Sequence, residues 1–589
     1  MDRNTLSRIL LAVGVFFVVW SLMGKGGCNG DKGDKSAAGG VAEVFSAMPL
    51  PSASAPGASS AAAMAPASSV IPCIIETPQV RVVVSPNGGG ISSFVLLEGK
   101  YTEGRDKDRQ QIDIAYRTSV DDQLRQVPNY NPARLSLRND AFDDQVTGDI
   151  IEFRSEKRGD ACVLVHETPG LVRIERTIKP AARPYELELT TTVKNLASVD
   201  RRHVFSETLF AYQFQKDEPG MFKRPGPNDN FQAGCSVNDG KLDWKSKGDL
   251  TKGGWQRVAG KLDFATISSA YIGQALLPLD EGAHCALVGA EIKSQTGKSD
   301  LDGSMLRAAL AYDKRTLKPG ESATYRQDLF AGPKERHILA AAGGGGRHLD
   351  NLIDLGRFAI IAKVLVAFLK FVHERLGSWG LAIILLTVSV RAALFPLTLS
   401  QIRGGFIMRK LKPEIDAINA KFADDPQMKM VATSELYKKN GYSPFAGCLP
   451  ALLQMPVWFA LYTSLQTAIE LFHEPFAIWA DLSSPDPRFV LPAVLGAVMF
   501  VQQKVTPMQM DPAQQKVFTY FMPAMFTVFM LFLPAGLGVY MLTNSLLGIA
   551  QTIGAERYYA SQLKASTVTV KVVEKEKPAL PENKRKGDA

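Results

Sequence analysis

The stretch Trp379–Arg403, WGLAIILLTVSVRAALFPLTLSQIR, decides the architecture. From Trp379 to Leu399 it is apolar apart from hydroxyls and a single arginine, Arg391. As a helix rising about 1.5 Å per residue it would cover roughly 30 Å, the thickness of the hydrocarbon layer. A central arginine costs roughly 2.5–3.5 kcal/mol on insertion scales, which a run rich in Leu and Ile can offset. Two readings of Arg391 stand. Either it faces a bundle interior or a wet cavity, with Thr387 one turn earlier on the same face, or it snorkels, since it lies nearer the Arg403 end. The apolar runs supply no Asp or Glu to pair with it. An unpaired guanidinium inside a membrane requires water, which points to a hydrated cavity.

Working outward, the 589 residues are 46% hydrophobic and 21% charged, averages that mix a polar first part with an apolar part after about residue 340. The net charge of +8 is modest for this length, so its placement matters more than its size. Six cysteines form no C-x-x-C pair, seven histidines form no H-E-x-x-H, and no G-x-x-x-x-G-K-[ST] occurs. Zinc, redox and nucleotide-motor signatures are thus missing, and no cofactor is expected.

Residues 1–24 read as a signal anchor: Arg3 and Arg8 precede the apolar run Ile9–Met23, and no clean A-x-A site follows. A cleaved signal is the alternative. Residues 25–70, mostly Gly, Ser, Ala and Pro, form a linker too poor in large apolar residues to bury a core. Residues 71–340 change to short alternating runs such as ELELTTTV, separated by Gly, Pro, Asn and Asp. That pattern predicts a large all-β sandwich, placed outside the cytoplasm if the first helix is an anchor. Cys73, Cys162, Cys235 and Cys285 allow three pairings or none. His166, Glu167 and His203 are isolated and suggest no catalytic cluster.

Residues 350–376 predict an interfacial amphipathic helix, with Lys363, Lys370 and Glu374 on one face. The Arg391 helix (378–402) leads into a basic segment, Arg403, Arg409, Lys410 and Lys412, expected on the cytoplasmic side. There, 403–442 reads as a helical hairpin, with one helix starting at Pro413, a stripe of Leu411, Ile415, Ile418 and Phe422, and a turn at Asp424–Pro426. Further spans are expected at 443–467, 488–505, 515–533 and 535–556, ahead of a basic tail, 557–589. The expectation is therefore a polytopic α-helical membrane protein with six spans, both termini cytoplasmic. Besides Arg391 and Thr387, the polar or hydroxylated span residues are Gln454, Gln502, Gln503, Tyr540 and Asn544, and Tyr540 and Asn544 share a face. For Gln502 and Gln503 an interhelical hydrogen bond suffices.

WGLAIILLTVSVRAALFPLT, KLKPEIDAINAKF, NGYSPFAGCLPALLQMPVWFALY, DPAQQKVFTYFMPAMFTVF and LPAGLGVYMLTNS together resemble the YidC-type membrane protein insertases of the Gram-negative form, relatives of the mitochondrial and chloroplast insertases. The resemblance covers about Ser378 to Tyr559. It implies a five-helix core around a hydrophilic, positively charged groove, closed on the outer side and open to cytoplasm and lipid. It further implies that Arg391, Thr387, Gln454, Phe529 and Tyr540 line that groove or meet substrate, and that the outer domain is a β-supersandwich resembling sugar-binding enzymes. Met541 stands where the family often has a second aromatic. The function implied is a non-enzymatic insertase and chaperone of the bacterial inner membrane, serving nascent membrane proteins alone or with the Sec translocon. Lipids are a further expected partner, as is the ribosome through the hairpin and tail; DNA is not. The competing classes are a solute transporter, against which the lack of intramembrane carboxylates argues, and a membrane-anchored envelope scaffold.

Overall fold

The computed structural model describes residues 72–86, 88–103, 110–115, 134–138, 152–215, 231–251, 254–292, 302–353, 355, 358–422, 425–440, 455–465, 469–505 and 517–566. The expected N-terminal anchor and linker, Gln454, and the tail beyond residue 566 lie outside them. The chain divides into two compact units. One comprises Met1–Leu386, Gln454–Ala493 and Phe526–Tyr540, and the other Thr387–Leu453, Val494–Met525 and Met541–Ala589.

The first unit contains the β domain. Alternation produces its strands. In Glu186–Asn195, Leu187, Leu189, Thr191 and Val193 point into the core, and the residues between them are less buried. Nine antiparallel strands run in the spatial order Lys241–Lys245, Gln232–Val237, Leu262–Ser268, Ile272–Pro278, Ser322–Pro333, Glu186–Asn195, Val172–Pro180, Ala161–Thr168, Arg154–Arg158. A second sheet holds Gln256–Val258, Ala283–Ile292, Gly303–Tyr312, Arg201–Phe214 and Arg315–Leu317, with Arg134–Arg138 also on Arg201–Phe214. Three strands, Cys73–Glu76, Val80–Val84 and Ile91–Leu96, form a further small sheet. Leu262–Ser268 and Gly303–Tyr312 are buried along their whole lengths, as strands covered on both faces must be.

Three kinds of tie join the sheets. Cys73–Cys162 links the small sheet to the large one, and Cys235–Cys285 links the nine-stranded sheet to the six-stranded one. The sequence left this pairing open. The bridged residues are 89 and 50 positions apart, and closing loops of that size is worth about 4 kcal/mol each in a chain-entropy model. Arg176 of one sheet pairs with Glu207 of the other, both fully buried. His203 bonds Tyr325 Oη across the sandwich at 2.8 Å. Burial, helped by Arg315, pushes the His203 imidazole down to about 4.

After a 3₁₀ turn, Leu349–Leu352, helix α1 (Ala359–Leu376) presents three faces. Ala362, Leu365, Leu369 and Val372 are buried, whereas Ile360, Val364 and Phe371 are 83%, 65% and 51% exposed. Lys363, Lys370 and Glu374 lie along one edge of the exposed apolar face. A loop, 469–489, binds the β domain and two further helices of the same unit. Ile469 enters the β core, Phe472 meets the Tyr271 ring, and a His473 ring nitrogen lies 3.0 Å from the Thr102 carbonyl. Burial alone would raise the Asp481 carboxyl, but hydrogen bonds from His473 and Ser483 hold it at about 2. The loop carbonyls of Ser484 and Leu482 accept from Ala535 N and Gly536 N, both at 2.8 Å. A β-carbon at Gly380 would collide with the Phe476 ring at 2.0 Å, so the loop seats where a helix lacks a side chain.

The remaining helices are α2 (Trp379–Ala393), α3 (Phe395–Lys421), α4 (Pro426–Lys439), α5 (455–465), α6 (Val490–Val505), α7 (Met522–Met530, preceded by a π turn, Val517–Phe521) and α8 (Ala535–Ser566). Among the described residues no helix is long and apolar enough to cross a membrane. The expected span 378–402 is interrupted. The apolar run of α2 breaks at Leu394 after 15 residues, roughly 22 Å at the α-helical rise. α8 is long enough at 32 residues but carries Asn544, Gln551, Glu556 and Arg557. α3 also corrects the expected helix start at Pro413, which lies inside the helix. A proline there removes one backbone donor and costs about 3 kcal/mol. Packing of Ile407, Leu411 and Ile415 on Leu436 and Tyr437 of α4 opposes that cost. α4 starts with Asp425 accepting from Gln427 N and Met428 N, both at 3.0 Å, a regular N-cap.

Candidate functional site: an arginine held by neutral acceptors

Helix α2 sorts its side chains by face. Ala382, Ile383, Leu386 and Thr387 are buried, while Leu381, Leu385 and Val388 are exposed. Arg391, one turn after Thr387, continues beside the buried face and is itself half-buried. Its Nε donates to Asn544 Oδ1 at 2.6 Å, one Nη to the Asn544 carbonyl at 2.8 Å, and the other Nη to Gln551 Oε1 at 3.2 Å. All three acceptors are on α8, within the second unit.

Two consequences follow. The guanidinium's demand for acceptors, which the sequence assigned to water, is met in part by protein groups. Because Asn544 and Gln551 are neutral, these bonds fix the position of the positive charge without cancelling it. The close approach depends on Gly548. A β-carbon there would sit 3.1 Å from the Arg391 guanidinium and 2.7 Å from Gln502 Nε2. Gln502 of α6 therefore lies against the same bare patch of α8. Nearby on α6, Lys504 Nζ lies 5.4 Å from the Phe500 ring and 5.3 Å from that of Tyr520.

The other expected groove residues are placed as follows. Thr387 is 1% exposed and belongs with Arg391 to the second unit; Tyr540, also 1% exposed, and the half-buried Phe529 belong to the first. Gln454 lies outside the described residues. Gln551 and Gly548 were not anticipated. Their signal was available in the 4-3 spacing of Asn544, Gly548 and Gln551 along one face of α8, with polar residues flanking a residue that has no side chain.

Comparison with known proteins covers nearly the whole described chain. Residues 73–368 match the family model for the YidC periplasmic domain, and residues 371–562 match that for the 60Kd inner membrane protein. A membrane protein insertase YidC from Anaeromyxobacter sp. (strain K) is 33% identical over 471 residues, 79% of this chain and 81% of the relative. One from Nitratidesulfovibrio vulgaris (strain DP4) is 37% identical over 323 residues, 53% of this chain and 57% of the relative. Among solved structures, an active YidC insertase with its first transmembrane domain resolved matches at 17% identity and a TM-score of 0.33, covering 81% of this chain and 93% of the other.

Proposed function

The chain belongs to the YidC family of inner-membrane protein insertases, and from that premise we propose how its helices handle a substrate. The family act is non-enzymatic: a nascent apolar segment is moved into the bilayer. Arg391 attracts the short acidic or polar segment that precedes such a stretch. Thr387 and Gln454 replace part of that segment's lost hydration, lowering the cost of bringing polar groups into a low dielectric. The apolar stretch then leaves along Phe529 and Tyr540, driven by its own burial. The observation that carries this reading is the guanidinium fixed by Asn544 and Gln551, neutral groups that set where the cation sits.

The same premise extends to topology. The membrane part crosses with an N-terminal anchor and five helical segments, some assembled from adjoining helices, and both termini are cytoplasmic. Two disulfides in the β domain fit an oxidising, extra-cytoplasmic side, and the basic sequence 403–412 fits the cytoplasmic one. The α3–α4 hairpin receives the emerging chain, with the Sec translocon and the ribosome as partners at that stage.

The test is insertion of a short single-span protein with an acidic tail into proteoliposomes, comparing wild type with Arg391→Lys and Arg391→Ala. Retention of activity by Lys and loss by Ala is expected. Full activity of the Ala variant removes Arg391 from the mechanism. Flux of a small solute through the same proteoliposomes would favour a transporter.

A further inference from the structure

At the foot of the β domain a cavity of about 180 Å³ opens beside α1, lined by Trp244, Arg336, Asp350, Asn351 and Lys363 among others. That volume far exceeds the roughly 10–15 Å³ one water needs. Two cations face one carboxylate. Among the described residues none of Arg336, Lys363 and Asp350 forms an ion pair; Arg336 meets the buried Glu470 through its backbone N–H and through its field. The cavity therefore carries one positive charge in excess. Asn351 is tied to the Gly240 carbonyl at 2.9 Å, which stiffens this wall.

The position of the mouth follows from α1. Lys363 lines the cavity and borders the exposed apolar face of Ile360, Val364 and Phe371. In a family resident in the inner membrane, such a face lies in the acyl boundary and its flanking lysines reach headgroup level. Trp244 is of the residue type that favours the same depth. We propose that the cavity is a binding site for the phosphodiester of an anionic phospholipid, held by Arg336 and Lys363 while the acyl chains run along the apolar face of α1. One negative charge on the phosphate matches the one cation in excess, and charge-assisted bonds from guanidinium and ammonium are the strong kind.

The experiment uses the full-length protein in phosphatidylcholine nanodiscs with and without phosphatidylglycerol, counting retained lipid by native mass spectrometry. Wild type is expected to retain one phosphatidylglycerol about tenfold more tightly than the double variant Arg336→Gln/Lys363→Gln. Lys370→Gln, on the same edge of α1 but outside the cavity, is expected to bind as wild type. Asp350→Asn should tighten retention several-fold, a gain that misfolding cannot mimic. Equal retention by the double variant, an equal loss in Lys370→Gln, or no gain in Asp350→Asn overturns the proposal. Displacement of the lipid by equimolar glycerol 1-phosphate would assign the site to a free phosphate and overturn the lipid assignment.

Discussion

Arg176 in the β sandwich and Arg391 among the helices are both drawn away from bulk water, and their partners differ. Arg176 is fully buried against Glu207, also fully buried, with Thr191 Oγ1 at 3.3 Å. Burial pushes the Glu207 carboxyl up while Arg176 pulls it down. The pair links two sheets. Arg391 takes the acceptors described above from an amide, a carbonyl and a second amide. Its geometry is equally well defined, through groups that carry no charge. The two arginines thus differ in the charge of the acceptors named here, a carboxylate for Arg176 and neutral groups for Arg391.

The largest effect expected from breaking this contrast is on the β side. Arg176→Met strands the Glu207 carboxylate and should destabilise the domain by roughly 3–5 kcal/mol, whereas Arg176→Met with Glu207→Leu should recover most of the loss. Chemical denaturation of the full-length protein in detergent reads both. Next comes pH. His203 is neutral in the fold down to about 4, but unfolded it titrates near 6.5. Between those values the unfolded chain binds more protons, so stability falls on acidification through that window, by up to about 3 kcal/mol. His203→Gln should flatten that slope in hydrogen exchange of the sandwich strands; an unchanged slope assigns it to other groups.

A third change would turn Arg391 into a second Arg176. Gln551→Glu places a carboxylate against a guanidinium nitrogen now 3.2 Å from an amide oxygen. Insertion of an acidic-tailed substrate should drop about tenfold, equivalent to about 1.4 kcal/mol, with no fall in melting temperature. Undiminished insertion would separate activity from the net charge of the site. The smallest effect is expected from Gly548→Ala. The added methyl crowds Arg391 and Gln502, and a few-fold loss of insertion should appear, with a loss of similar size on a neutral-tailed substrate counting against a role in aiming the charge.

These two regions also differed in how far the sequence could be read. Alternation in ELELTTTVKN marks a strand without ambiguity, because the two-residue period is local. The cysteine pairing is not local: the bridged residues are 89 and 50 positions apart, and no spacing rule selects them. Among the helices, apolar runs located the elements but not their ends. The break at Leu394 falls just before Pro396, which has no N–H to bond the Ala392 carbonyl. Pro413 looked like a start and is passed over where its helix packs on α4. Arg391 and Asn544 were visible as polar residues in apolar runs. Gly548 was not, since the importance of a missing side chain depends on what approaches it from another helix.

The two disulfides also bear on biogenesis. They form only where thiols can be oxidised, yet Cys73, Cys162, Cys235 and Cys285 end up inside the core. A copy inserted the wrong way round would keep its β domain in a reducing compartment, lacking both covalent ties between sheets. The domain thereby records its own orientation. After denaturation without reductant, maleimide labelling of these four cysteines counts the inverted copies, and proteolysis should remove those copies first. A membrane protein insertase carries, in two sulfur–sulfur bonds, a mark of its own orientation.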